Sequence, residues 1–138
     1  MTNGYMRQAS AMYRQTRVQG GVEDADPHRL TGMLLDGAIE RITQACGQIR
    51  HGDVPGKGYS ISRAIAIVGQ LRSDLDHAAG GELSQRLESL YEYVTRRLLY
   101  GQLHGDVAVL EECIRLLVPI REGWMGIRGS YLASAKAG

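Results

Sequence analysis

The chain has no phenylalanine, three prolines, one tryptophan and two cysteines among its 138 residues. Cys46 and Cys113 lie far apart, each inside an apolar helical pattern, and read as buried free thiols. Their number and spacing exclude a disulfide framework and the paired, closely spaced ligands of a structural zinc site. No apolar run approaches the roughly 20 residues of a membrane span. The polar start, Met1-Thr-Asn-Gly-Tyr-Met-Arg-Gln8, lacks the apolar centre of a secretory signal, so a cytoplasmic protein with no membrane insertion is expected. Charge imbalance is lacking too. Sixteen basic residues against fifteen acidic ones give a net charge of +1, which is no electrostatic footprint for nucleic acid.

Catalytic chemistry is also thin. His51, His77 and His104 each stand at a predicted helix C-terminus, where an imidazolium meets the negative end of the dipole, and His28 stands in a helix first turn. No two histidines are spaced for a metal. Ser60, Ser62 and Ser73 have no nucleophile-type surroundings, and Glu111-Glu112 reads as a surface pair. The stretch Gly52-Asp-Val-Pro-Gly-Lys-Gly58 resembles a phosphate loop in composition alone, because no apolar strand precedes it and the fixed spacing is missing. No enzyme, metal site or cofactor is expected.

What the sequence holds is helical periodicity. The stretch around Leu87–Leu103 carries Leu83, Leu87, Leu90, Val94, Leu98 and Gly101 at spacings of three and four, one apolar stripe of a helix. Beside it runs a second stripe of Tyr93, Arg96, Tyr100 and Leu103. A helix needs one apolar stripe to join a bundle, so the second is surplus and points to a partner.

The rest of the chain follows the same period. Residues 1–20 form a weak amphipathic segment with Tyr5, Met6, Ala9, Met12 and Tyr13, too short to persist unless docked. Asp26 and Pro27 are a cap and a first helical residue, opening a helix to about Arg50. Its face of Leu30, Met33, Leu34, Ala38, Ala45 and Ile49 is widened by Leu35, Ile39, Ile42 and Cys46, more than one neighbouring helix covers. Gly37 within that face suggests a close backbone approach. A loop over His51–Gly58 precedes a helix from about Tyr59 to His77, with Ile61, Ile65, Val68, Leu71 (or Arg72) and Leu75 as its core stripe. Ala78–Gly81 reads as a break, and the next helix runs from about Glu82 to His104. After a turn at Gly105–Val107, the last long helix carries Leu110, Cys113, Ile114, Leu117, Ile120 (or Arg121) and Trp124. Pro119 is expected to kink it.

Four long helices joined by short loops run antiparallel to their neighbours. The expected fold is therefore all-α, an up-down-up-down four-helix bundle with an added short N-terminal helix or cap segment. Residues 1–22 form that docking segment, 23–127 the bundle and 128–138 a flexible tail rich in Gly, Ser and Ala. The cluster Tyr91, Tyr93, Arg96, Arg97 and Tyr100 offers large contact area with polar tips, as interface residues do, and suggests a groove for a helix.

These residues resemble the family of flagellar export chaperones for flagellin, FliS. The resemblance rests on Met12-Tyr13 with Val18, Asp26-Pro27-His28-Arg29-Leu30 and Met33-Leu34-Leu35-Asp36-Gly37-Ala38. It continues through Leu75-Asp76, Gly80-Gly81-Glu82-Leu83, Leu90-Tyr91-Glu92-Tyr93-Val94-Thr95-Arg96-Arg97-Leu98 and Leu116-Leu117, ending at Arg121-Glu122-Gly123-Trp124. The order and spacing of these motifs carry more weight than any one of them. Leu35 stands where the family commonly has a tyrosine, and Asp26-Pro27 where it commonly has Ser-Pro.

The resemblance implies a non-catalytic helical bundle. It would bind the disordered C-terminal segment of flagellin in the cytosol, block premature polymerisation and assist delivery to the export gate of the flagellar type III apparatus. The expected flagellin-binding groove comprises Leu34, Leu35, Ile39, Ile42, Tyr91, Tyr93, Arg96, Arg97, Tyr100 and Leu103. Met12 and Tyr13 are expected to plug it when flagellin is absent. The competing expectation is a self-associating bundle whose surplus stripe forms a homodimer.

Overall fold

The computed structural model describes residues 26–137. Within them lie α1 (Pro27–Arg50), α2 (Val54–Ser73), α3 (His77–His104), α4 (Val107–Gly126) and α5 (Arg128–Ala137). The expected docking segment and plug residues, Met12 and Tyr13, lie outside the described residues.

Aspartate starts every long helix. Asp26, Asp53, Asp76 and Asp106 are the N-caps, and their side chains accept from the backbone N–H groups of Arg29, Gly56, Ala79 and Ala108. Each carboxylate satisfies donors that the first helical turn leaves unpaired and faces the positive end of the helix dipole. Proline completes the first turn of α1 and α2, where its missing N–H costs nothing.

The connections are short: residues 51–53, 74–76 and 105–106. They force antiparallel neighbours, and contacts along the chain agree. Arg50 near the end of α1 pairs with Glu111 near the start of α4, while Arg121 near the end of α4 pairs with Asp36. Lys57 at the start of α2 bonds the carbonyl of Gln102 at the end of α3. Each long helix packs on its chain neighbours, and α1 closes the ring on α4. The all-α four-helix bundle is the fold.

The core is filled by Leu35, Ile42, Ile61, Val68, Val94, Leu98, Leu110 and Leu117, with Cys46 and Cys113 as buried thiols among them. Burial pushes the Cys113 thiol up to about 12. Among the described residues the broad apolar face of α1 packs on two partners, α2 and α4.

Several sequence expectations move. The loop expected over His51–Gly58 ends at Asp53, because an Asp-x-Pro start with a free Gly56 N–H makes a capped helix begin at Val54. His77 is thereby the first residue of α3 rather than a helix end, and it pairs with Glu88. The break expected at Ala78–Gly81 narrows to Gly81, whose φ of 53° and ψ of −124° interrupt α3; only glycine takes that conformation without strain. Within the tail expected over 128–138, Arg128–Ala137 is helical. Pro119 lies inside α4, which continues through it.

Side chains also change place. Leu83 and Met33 are exposed, while Tyr91 is buried. The core stripe of α3 is therefore Ser84, Leu87, Tyr91, Val94, Leu98 and Gly101. Among the described residues Gly37 meets only the tip of Ile67, at an ordinary 3.5 Å, and no backbone approaches there. The close approach is at Gly101, where an added Cβ would stand 2.8 Å from Leu110 Cδ2.

Candidate functional site

Once that stripe of α3 faces the core, Tyr93, Arg96, Arg97, Leu99, Tyr100 and Leu103 must lie on its outer arcs. They divide between two neighbours.

Toward α4 runs a polar ladder. Tyr93 Oη donates to Glu112 Oε2 at 2.6 Å, and Arg97 Nε donates to Glu112 Oε1 at 3.0 Å. The phenol and, after it, the guanidinium hold the Glu112 carboxyl below its ordinary value. The same carboxylate pushes the Tyr93 phenol up. Arg97 also lies over the Tyr100 ring at 5.0 Å, and Arg96 over the Tyr93 ring at 5.9 Å. Tyr100 in turn leans on His104, with ring centroids 4.2 Å apart. Tyr93 and Arg97 are thus half-buried and fixed by α4, while Arg96 and Tyr100 face solvent.

Toward α2 the surface is apolar and open. A groove of about 570 Å³ is lined by Val54, Lys57, Gly58, Leu99, Gln102 and Leu103. Val54 is 64% exposed, Leu99 52% and Leu103 79%. Lys57 Nζ donates to the Gln102 carbonyl at 3.1 Å, satisfying an acceptor that the last turn of α3 leaves unpaired. Among the described residues its lining holds one cation, Lys57, and no carboxylate.

The expected groove residues do not form one surface. Leu34, Leu35, Ile42 and Tyr91 are buried in the core, and burial pushes the Tyr91 phenol up to about 12. Ile39 is half-buried and packs against the core. They were placed in the groove because α1 has a wide apolar face, and among the described elements α2 and α4 pack on that face. Tyr93 and Arg97 belong to the ladder, Leu103 lies in the α2–α3 groove, and Tyr100 and Arg96 lie between. Sequence reasoning missed Val54 and Lys57, hidden in a stretch read as loop, and Leu99, hidden beside Leu98. The signal for Leu99 was its spacing of four from Leu103, off the core stripe.

Among the described residues no helix is long and apolar enough to cross a membrane, and no group of three or more His, Cys, Asp or Glu side chains could hold a metal.

The comparisons with known proteins agree with one another. The family model described as "Flagellar protein FliS" matches residues 8–131. The flagellar secretion chaperone FliSB of Pseudomonas aeruginosa is 41% identical over 123 residues, covering 89% of this chain and 98% of that relative. The flagellar secretion chaperone FliS of Salmonella typhimurium is 40% identical over 116 residues, covering 83% and 86%. FliS of Bacillus subtilis is 29% identical over 106 residues, covering 77% and 78%.

Proposed function

The chain belongs to the FliS family, and from that premise we propose that it is a non-catalytic flagellar export chaperone whose client is the disordered C-terminal segment of flagellin. It holds that segment in the cytosol, keeps flagellin from polymerising early and hands it to the export gate.

The observation that carries this reading is the open apolar groove between α2 and α3. Val54, Leu99 and Leu103 stand in water on a rigid bundle whose core is already filled. An amphipathic helix laid across them would bury its own apolar face, the one that otherwise drives self-assembly. Burying an aliphatic side chain fully is worth about 1.5–3 kcal/mol gross. Ordering a disordered client subtracts from that sum. Lys57 would favour an acidic residue on the client at the groove's edge.

Calorimetric titration with the C-terminal segment of its own organism's flagellin tests the proposal. A one-to-one complex with a large negative heat-capacity change is expected. Absence of heat and of a complex would sink it. The same apolar strip favours one competing occupant, a second copy of the chain. A particle mass that doubles with concentration and ignores the flagellin segment would identify a homodimeric scaffold instead.

A further inference from the structure

The apolar groove is the open end of a longer seam between α2 and α3. Val54, Gly58, Ile65 and Arg72 recur at spacings of four and seven and form one arc of α2. Glu88, Glu92, Leu99 and Leu103 do the same on α3. The arcs meet at both ends. Val54 and Gly58 line the groove with Leu99 and Leu103. Arg72 pairs with Glu88 at 3.3 Å and with Glu92 at 3.7 Å. From Val54 to Arg72 the seam runs roughly 27 Å, at the helical rise of about 1.5 Å per residue.

Its two ends differ in charge. At the apolar end stands Lys57, which gives one Nζ donor to the Gln102 carbonyl. Among the described residues it pairs with no carboxylate, so the other donors of its ammonium stay open. Asp53, close by, is occupied by the Gly56 N–H. At the far end two carboxylates face one guanidinium. Glu88 is taken by Arg72 and lies 2.9 Å from His77 Nε2. Glu92 is exposed, and 3.7 Å from Arg72 is too long for a hydrogen bond, so its oxygens have room for donors. Arg96, one turn further on, lies over the Tyr93 ring.

We propose that the client segment seats in this seam as a helix parallel to α3, its first turn at Glu92 and its last at Lys57. The inference rests on the reading that the groove holds that client, and it adds the client's direction. α2 and α3 run opposite ways, so their dipoles largely cancel for a helix lying between them, and the side chains decide. A helix start carries unpaired N–H groups and partial positive charge, and a helix end carries unpaired carbonyls and partial negative charge. Glu92 accepts from the first, as the N-cap aspartates do within the bundle. Lys57 already caps the end of α3. A helix that lies beside α3 and points the same way ends at the same level, where the remaining Nζ donors meet its last carbonyls. Glu92 and Gln102 are roughly 15 Å apart along α3, so the seated stretch needs only about three turns. A helix that short does not persist alone in water, which fits a client that is disordered until bound.

Paramagnetic broadening of the full chain's amide signals reads the direction. The probe is the C-terminal segment of its own organism's flagellin, spin-labelled at a single cysteine placed just before or just after its amphipathic stretch. The leading label should broaden Arg72 and Glu88, and the trailing label Val54 and Leu103. The reverse pattern would overturn the direction and leave the client in the groove. Broadening at neither end would place the client elsewhere, and the groove reading would fall together with this inference. Charge reversal gives an independent check. Glu92→Lys, an exposed change outside the core, should weaken binding by about threefold or more, and Glu92→Gln by less. An affinity that Glu92→Lys leaves unchanged would overturn the role given to that carboxylate.

Discussion

Tyr93 and Glu112 share a 2.6 Å hydrogen bond that joins the middle of α3 to the first turns of α4. Arg97 completes the contact from one turn further along α3. A tyrosine and an arginine that a sequence reader assigns to a binding surface are therefore occupied within the fold. Glu112→Gln should destabilise the bundle by about 1 kcal/mol, the ordinary worth of such bonds. The acid limb carries a second signature. The folded carboxyl titrates below its ordinary 4.5, so its contribution is full above that value and lost as pH falls through the folded one. Urea melts of wild type and Glu112→Gln should differ near neutral pH and converge in acid. A constant difference would show that the charge is not what matters.

Leu103 and Leu99 test the groove. Both are exposed and outside the core, so Leu103→Asp and Leu99→Asp should leave helicity and melting nearly unchanged, within about 0.5 kcal/mol. Each should weaken binding of the flagellin segment by about tenfold or more, the loss of one buried aliphatic contact. Arg96→Glu changes the neighbouring exposed arc, and if it weakens binding while both leucine variants bind normally, the client lies on the ladder side of α3 instead.

The fold was legible because its signals are local and repeated. Helical periodicity, aspartate caps and short connections are each written in a few consecutive residues, and together they permit little except an antiparallel bundle. The site was legible only in part. Tyr93, Arg96, Tyr100 and Leu103 fall on one period and were read as one stripe, and they do lie off the core. What periodicity does not carry is which neighbour each arc meets. Glu112 looked like a surface acid until α4 brought it against Tyr93 and Arg97. Val54 and Lys57 looked like loop until Asp53 capped a helix around them. Leu34, Leu35 and Ile42 looked spare because the width of an apolar face does not say that two helices share it.

Asp26 caps α1 and holds Arg128 at once, and the two roles separate by substitution. Asp26→Asn keeps a capping oxygen and loses the ion pair, whereas Asp26→Ala loses both. The first should cost about 0.5–1 kcal/mol, for a partly screened pair, and the second about 1 kcal/mol more. The bond from Arg128 holds the Asp26 carboxyl down at about 2, from an ordinary 3.8. Its contribution is therefore complete well above about pH 3.8, falls progressively below that value and is lost as pH falls through about 2. Chemical denaturation across that range should show the wild-type advantage over Asp26→Asn surviving mild acid. An advantage that disappears near pH 4 would mean that Arg128 does not hold this carboxylate in solution.

Gly101 opposes two effects of similar size. In a helix interior, Ala is better than Gly by about 1 kcal/mol. Here the new methyl would meet Leu110 at 2.8 Å, and Leu110 is fully buried. Overpacking of that kind costs about 1–3 kcal/mol. Gly101→Ala should therefore destabilise by up to about 2 kcal/mol, and Gly101→Ala with Leu110→Val should recover part of the loss. A more stable single variant would place α3 and α4 further apart than described.

Pro119 offers the converse case. It lies inside α4 and on the exposed side, so its ring fills no core space that a smaller residue would leave empty. A proline in a helix interior removes one backbone hydrogen bond and crowds the preceding turn, at about 3 kcal/mol relative to Ala. The backbone of α4 stays helical through the site, so that cost is carried in the folded chain. Pro119→Ala should stabilise the chain by about 1–2 kcal/mol, read as a higher denaturant midpoint with an unchanged slope. The gain should appear without any change in flagellin binding, since the groove lies between α2 and α3 and α4 lines none of it. A variant that gains stability and loses the client would mean that a bend at Pro119 shapes the binding surface, and the groove would have to be sought on α4.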